Sequence, residues 1–173
     1  MLVADRQLSD SMCNKFSINN NNERAMREKV LDAFKALGFE LEHDEACCYG
    51  FHYENLFFLY LYNENDEDFL TIACPCSIGN EDIDELAYYQ LMDKVNSTMK
   101  YVKANTMNGN IWLFYERDLC NEANLKDMLT HIVMSLEAAY IFLHRELEAL
   151  KGDADTENTD SEITDEADDD TVE

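Results

Sequence analysis

The segment Leu56-Phe57-Phe58-Leu59-Tyr60-Leu61-Tyr62 decides the fold, because it reads as a strand that is apolar on both faces. Alternate side chains of a strand point to opposite sides of a sheet. An antiparallel sheet with one face in water would alternate apolar with polar residues. We therefore expect something to cover each face. The first face carries Leu56, Phe58, Tyr60 and Tyr62, and the second carries Phe57, Leu59 and Leu61.

A second segment, Ile111-Trp112-Leu113-Phe114-Tyr115, is apolar on both faces as well. It follows Asn108-Gly109, and Asn-Gly supplies the two positive φ angles of a type I′ hairpin turn. We predict a hairpin of residues 99–107 with residues 110–117.

Other apolar patterns place the remaining elements. The spacing of Met26, Val30, Phe34 and Leu37 predicts a helix over residues 23–37 that ends at Gly38. A second helix is expected after an N-cap at Asn80 and should end near Asn96. A third begins after Asn121 or Asn124 and should stop at Gly152. Further strands are predicted at Phe39–His43, Cys47–Tyr53, Leu56–Tyr62 and Phe69–Cys74.

This order, α-βββ-α-ββ-α, predicts an α+β fold: an antiparallel sheet of about five strands with the helices packed on one face. Three helices cannot cover both faces of such a sheet. A second copy of the chain, a partner segment or the chain's own N-terminal arm could cover the other face. The alternative is a Tyr-rich face that tolerates water.

Charge divides the 173-residue chain into three parts. Residues 152–173 carry eleven acids and neither Lys nor Arg, which predicts a disordered acidic tail. The Asn-rich tract 19–22 closes a loosely ordered N-terminal arm, residues 1–22. Residues 23–151 form the single domain.

The formal net charge of −24 argues against anionic classes of partner. A surface this acidic repels phosphate backbones and anionic lipids, so neither nucleic acid nor membrane binding is expected. No apolar run is long enough to span a bilayer, and the N-terminus does not resemble a signal peptide. We expect a cytoplasmic protein whose six cysteines are reduced thiols.

The cysteines and histidines suggest a metal site only weakly. Cys74-Pro75-Cys76 and Cys47-Cys48 could join His43 or His52, but zinc sites separate paired ligands by two to four residues. Cys13 and Cys120 stand alone, and His131 and His144 share no spacing with the others. Free cysteines behave as small buried apolar residues. We expect neither metal nor cofactor.

The sequence does not contain the common motifs of catalytic sites. It lacks a Gly-rich phosphate loop, a nucleophile elbow and a His-Glu-x-x-His helix. The segment 63–68 resembles half of a calcium loop without its central Gly, and reads more simply as an acidic turn. An enzyme is therefore not expected, and no small-molecule substrate is evident.

The order of elements and several local features resemble the YbjN-like family, which shares the fold of bacterial type III secretion chaperones. The resemblance covers residues 25–150. Its features are the helix end Leu37-Gly38-Phe39-Glu40, the strand Leu56–Tyr62, the acidic turn before Phe69-Leu70-Thr71-Ile72, the helix end Val95-Asn96, the hairpin at Asn108-Gly109 and the long last helix. The resemblance implies a small acidic bacterial protein, sometimes described as a sensory transduction regulator, that forms a homodimer or binds another protein and has no enzymatic activity.

The function expected from these observations is protein binding, chaperone-like or regulatory, through an apolar sheet or helix surface. An acidic regulator that mimics charge towards a basic protein is the alternative, and a metal-dependent enzyme built on Cys and His is a third hypothesis. The candidate binding residues are Phe57, Leu59, Leu61, Phe58, Tyr60, Tyr62, Trp112 and Phe114. Which of the two sheet faces is open cannot be decided from the sequence.

Overall fold

The computed structural model describes residues 25–44, 48–63, 65–80, 83–119 and 124–160. In these residues the helices are α1 (Met26–Ala36), α2 (Glu85–Thr98) and α3 (Leu125–Asp160). The strands are β1 (Glu42–Asp44), β2 (Cys48–Tyr53), β3 (Leu56–Leu61), β4 (Phe69–Gly79), β5 (Val102–Met107) and β6 (Asn110–Asp118).

The strands form one antiparallel sheet in the order β1-β2-β3-β4-β6-β5. The predicted α+β class is confirmed, with six strands where about five were expected. The sixth strand is the three-residue β1 at the sheet edge, which overlaps the end of the predicted strand Phe39–His43. Its bounds differ from that prediction, because three residues give no measurable alternation.

The hairpin of β5 and β6 turns at Asn108-Gly109, as predicted. Both residues have positive φ angles, 51° and 77°. These angles match the twist of the flanking strands, so the pairing continues from Met107↔Asn110 to Val102↔Tyr115. The turn thereby fixes the register of β6, the strand that carries Trp112.

One hydrophobic core fills the space between the sheet and the helices. Phe34 of α1 lies against Phe51 and Tyr60, with ring centroids 4.8 and 5.9 Å apart. From α2, the Tyr88 hydroxyl donates to Thr106 Oγ1 at 3.3 Å. In α3, the ring of His131 meets the ring of Tyr115 edge-on. All these sheet residues belong to one face, so the three helices pack on one side, as predicted.

The start of the second helix differs from the prediction. Asp84, and not Asn80, is the N-cap of α2, and its carboxylate accepts from the backbone N–H groups of Leu86 and Ala87. Asn80 instead donates its backbone N–H to the Gly109 carbonyl at 2.9 Å. Both residues are good caps, and the contact with the hairpin turn decides between them.

Two predicted ends were also wrong. Strand β4 continues through Pro75 to Gly79, with a register shift between these residues. The pairs of β4 with β3 stop at Ala73, so Pro75 lies where one side of the strand is unpaired and tolerates a missing N–H. Helix α3 continues past Gly152 to Asp160. A glycine inside a helix costs only about 1 kcal/mol, which does not compel an end.

The predictions for the chain termini fall mainly outside the described residues. This is true of the N-terminal arm 1–22 and of residues 161–173 of the acidic tail. Within the described part of the chain, no helix combines the length and the hydropathy needed to cross a membrane.

Candidate protein-binding surface

The two faces of strand β3 have different surroundings. Phe58 and Tyr60 are 0% and 3% exposed, whereas Phe57, between Leu56 and Phe58 in the chain, is 40% exposed. The helices cause this difference, because they pack against the face of Phe58. Phe57 and Phe58 are adjacent in the chain, but Phe57 reaches solvent and Phe58 lies in the core.

Two of the predicted binding residues are therefore core residues. Phe58 stacks on Phe51 with centroids 5.4 Å apart, and Tyr60 lies between Phe34 and Tyr49. Tyr62, on the same face, is partly buried, and its hydroxyl accepts a hydrogen bond from Arg27 Nη1 at 2.8 Å. The prediction that Phe58 and Tyr60 form a binding surface was wrong, because α1 covers them.

The other five predicted residues lie together on the opposite face. We call this the open face, because no helix in the described part of the chain packs on it. The strand pairs Leu59↔Ala73 and Ala73↔Phe114 place three of its residues in one row, and Pro75↔Trp112 lies in the next row. The apolar residues of the open face are Cys48, Phe57, Leu59, Leu61, Phe69, Ala73, Pro75, Met107, Trp112 and Phe114.

Apolar neighbours on the open face shield one another. Ala73 is 0% exposed and Phe114 is 7% exposed, although no described helix covers them. The rings of Trp112 and Phe114 lie nearly parallel, with centroids 6.2 Å apart. Leu59, Leu61 and Trp112 remain half-buried. The open face is therefore an apolar surface on which the aromatic side chains of Trp112 and Phe114 stack, and such residues are typical of interface centres.

A groove of about 450 Å³ borders this surface on the side of β1. Gly50 lies at its floor, where the missing side chain lets the ring of Phe57 fold over the backbone. His52 lies beside that ring, with centroids 5.1 Å apart. The groove is lined by Glu42, His43, Cys48, Gly50, Phe57 and Leu59.

Charged side chains surround the apolar centre without entering it. Glu42 pairs with Gly50 at one side of the open face, and Glu116 pairs with Thr71 at another. Lys103 lies opposite Phe114, and its Nζ is 2.8 Å from Glu116 Oε2. Asp118 is opposite Phe69 at the end of β6. The charges named on this rim are thus three carboxylates and Lys103, and Lys103 is paired with Glu116.

The described cysteines are small core residues or lie at the edge of the groove. Cys48, Cys74 and Cys76 are buried thiols. A hydrogen bond with Cys74 and burial both raise the pKa of the Cys76 thiol, so this thiol stays protonated. Among the residues that the structure describes, no group of three or more His, Cys, Asp or Glu side chains is arranged to hold a metal ion.

The histidines lie on β1, β2 and the long helix α3, which carries both His131 and His144. His43 is in β1 against Tyr49, and His52 is on the open face. His131 lies beside Tyr115, and His144 packs on Tyr140 at 4.3 Å. Burial lowers the pKa of His144, which favours its neutral form. The structure does not bring the four together.

Burial also affects two tyrosines on the helix-covered face. Loss of solvation raises the pKa of Tyr60 to about 12, with a further contribution from Tyr49. Burial raises the pKa of Tyr115 as well. Both hydroxyls are therefore neutral at physiological pH, and both tyrosines are part of the core that stabilises the fold.

Sequence reasoning missed Gly50 and Glu42, which complete the groove. The glycine in an otherwise bulky strand, Cys-Tyr-Gly-Phe-His-Tyr, was the available signal, because a strand glycine often marks a close approach of another group. Glu42 lies in the predicted strand Phe39–His43, but no sequence pattern shows that this strand pairs with β2 and sets Glu42 opposite Gly50.

A scan against protein-family models and a search of curated proteins gave no match to this chain.

Proposed function

We propose that the chain is a non-enzymatic protein-binding module that holds another polypeptide, or a second copy of itself, on the open face. The observation that carries this proposal is the position of Phe57, Leu59, Leu61, Trp112 and Phe114 on the one sheet face that no described helix covers. Large apolar surfaces of this kind are uncommon on monomers and are typical of interfaces.

The chemistry of this surface supports a macromolecular ligand. The open face is a sheet surface with its groove at one side, whereas small-molecule sites are concave and bury most of their ligand. Its aromatic residues are of the types that concentrate at interface centres. The proposal includes the predicted cytoplasmic location and the YbjN-like, secretion-chaperone-like resemblance, both of which remain predictions.

Charge mimicry towards a basic protein is the second candidate, and the net charge of −24 favours it. The two candidates differ in the residues that they need. Mimicry depends on acids anywhere on the surface, whereas capture on the open face depends on Phe57 and Trp112. A variant that removes an apolar side chain of the open face without changing any charge therefore distinguishes the two candidate functions.

Co-purification from the native cell tests the proposal. The chain would be isolated as wild type, as Phe57→Gln and as Tyr89→Gln, and bound proteins would be identified by mass spectrometry. Tyr89 is the matched control, since it is 56% exposed but lies on α2, away from the open face. We expect Phe57→Gln to lose the partner and Tyr89→Gln to keep it.

Self-association is measured on the same three proteins by light scattering. A dimer of the wild type and of Tyr89→Gln that Phe57→Gln splits would support binding of a second copy. Equal retention of the partner by all three proteins, with no change in mass, would contradict the proposal. A partner that all three proteins retain and that added salt releases would favour charge mimicry.

A further inference from the structure

The open face has no cover among the described residues, and the chain itself supplies a segment that fits it. We infer that residues 1–18 of the same chain occupy the open face, so that a partner has to displace them. The occupancy goes beyond the proposed function and does not depend on it. The displacement rests on that function, because it concerns the partner of the same surface.

Helix α1 begins at an end of the sheet from which the open face can be reached. Its N-cap is Ala25, and in its first turn Arg27 donates from Nη1 to the Tyr62 hydroxyl at 2.8 Å. Tyr62 directly follows Leu61, whose side chain is on the open face. The chain therefore enters α1 on the helix side of the sheet, next to the strand end where Leu61 lies on the other side.

The length of chain that precedes α1 is sufficient to pass around this end of the sheet. Phe16 lies nine residues before Ala25, and an extended chain of that length spans up to about 30 Å. Packed layers of secondary structure lie about 10 Å apart, so the path from the layer of α1 to the far side of the sheet is about 20 Å. Residues 1–18 can therefore reach the open face of their own chain.

The sequence of this segment has an apolar side of the right length. Leu8, Met12 and Phe16 recur every four residues, which is the spacing of one face of a helix. A helix rises about 12 Å over these eight residues. The open-face side chains of β3 run from Leu61 to Phe57, which is about 13 Å of strand. The apolar side of the segment thus matches the apolar row of β3 in length.

Charge favours this segment over the other candidate occupants. Residues 1–24 carry three acids and three bases, so the entire formal net charge of −24 lies on residues 25–173. A second copy would bring the same charge again, and the two copies would repel each other. Residues 161–173 carry seven acids and, as larger apolar side chains, only Ile163 and Val172, so they cannot cover an apolar face.

The covalent link also lowers the entropic cost of association. Joining two groups by a short length of chain gives an effective concentration on the order of 1 mM. A second copy or a foreign segment has to be collected from dilute solution instead. Contacts of three apolar side chains can therefore suffice for a segment of the same chain.

Trp112 reports the occupancy, because it is the only tryptophan of the chain and its half-buried side chain is on the open face. The test protein is the full chain with Leu8→Gln, Met12→Gln and Phe16→Gln, which we call the apolar-side variant. We expect its Trp112 emission to move to longer wavelength and to be quenched more strongly by acrylamide than that of the wild type. Unchanged emission and quenching would overturn the inference.

A polar-side variant is the matched control, with Ser11→Gln, Asn14→Gln and Ser17→Gln. These residues fall away from the apolar side at helical spacing, so its Trp112 emission should equal that of the wild type. Neither variant changes a charge or a described residue. A synthetic peptide of residues 1–18, added to the apolar-side variant, should return the emission to shorter wavelength. The same peptide with the three apolar residues replaced by Gln should not.

Photo-crosslinking identifies the chain that supplies the segment. Benzoylphenylalanine would replace Phe16 in the full chain, and isotopically light and heavy proteins would be mixed before irradiation. We expect products between position 16 and open-face residues of β3, β4 or β6, with the same isotope in both parts. Products of mixed isotope would assign the segment to a second copy, and products with α2 would place it elsewhere. Either result would overturn the inference.

Displacement is measured with the partner that co-purifies with the wild type. An occupant whose effective concentration of about 1 mM is about ten times its own dissociation constant weakens the binding of a competitor about tenfold. The apolar-side variant should therefore bind that partner about tenfold more tightly than the wild type, and the polar-side variant should bind it equally. Equal affinity of all three proteins would overturn the displacement.

Failure of the inference and failure of the proposed function give different results. Unchanged Trp112 emission in the apolar-side variant, with the partner still lost in Phe57→Gln, would overturn the inference alone. An exposed Trp112 in the apolar-side variant, with a partner that Phe57→Gln retains, would overturn the proposed function and the displacement. Residues 1–18 would then be a permanent cover of the sheet.

Discussion

The ring of Phe57 lies so close over Gly50 that a Cβ atom at position 50 would stand 2.8 Å from Phe57 Cζ. Only glycine at position 50 permits this contact. With any larger residue there, the ring of Phe57 would have to move. The contact sets the position of Phe57, which is 40% exposed on the open face, and it forms the floor of the groove beside Glu42.

Gly50→Ala should therefore change the surface more than the stability. Gly50 has no positive φ, and the Phe57 ring is the flexible end of a side chain that can swing outwards. We expect the melting temperature to stay within about 4 °C of wild type, a change of less than about 1 kcal/mol. Binding of a partner on the open face should weaken, because the ring of Phe57 is displaced.

Gly109→Ala is the matched control for that substitution. Gly109 has a φ of +77°, which L-residues with a Cβ rarely adopt, so alanine should cost about 1–2 kcal/mol of stability. Partner binding by the folded fraction should not change. The same loss of stability in both variants would contradict the different roles of the two glycines.

Phe57→Glu and Phe58→Glu should have opposite consequences, although the two residues are adjacent. Phe58 is 0% exposed, and a buried unpaired carboxylate there should cost about 3 to 5 kcal/mol. Phe57→Glu should stay folded, with a loss of about 1 kcal/mol or less, because the new charge reaches water. Denaturant unfolding followed by circular dichroism measures both. Equal unfolding would show that the second face is also a core.

Alkaline pH should destabilise the fold through Tyr60. Its folded pKa is raised to about 12 from an ordinary value of 10.0, so the unfolded chain loses this proton first. The stabilising effect is complete below pH 10 and is lost as the pH rises through about 12. Two pKa units correspond to about 2.7 kcal/mol. Tyr60→Phe should flatten the dependence of unfolding free energy on pH in this window. An unchanged slope in Tyr60→Phe would assign the effect to another group.

Truncation of the acidic C-terminal part should leave the body intact. Ending the chain after Lys151 removes residues 152–173, whose polar composition predicts few packing contacts, so the melting temperature should move by no more than about 2 °C. Ending it after Glu146 also removes Leu147, which is 6% exposed, and should cost about 2–4 kcal/mol. A large loss from the first truncation would show that the acidic segment packs on the domain.

Pattern alone predicted the helices, the hairpin and the α+β class, because these depend on local periodicity and turn chemistry. It could not decide between the faces of β3, since Phe57 and Phe58 are the same residue type, and only the packing of Phe34 against Phe51 and Tyr60 selects the buried face. The choice of Asp84 over Asn80 as N-cap and the continuation of β4 through Pro75 have the same origin. Each follows from neighbours that are distant in the chain.

Site-specific photo-crosslinking in the native cell tests the central claim most directly. A benzoylphenylalanine would replace Phe57 on the open face in one strain and Tyr89 on helix α2 in another, both exposed aromatic positions. We predict that irradiation links position 57, but not position 89, to one defined polypeptide or to a second copy of the chain. Equal crosslinking from both positions, or a product from position 89 alone, would contradict a binding surface on the open face.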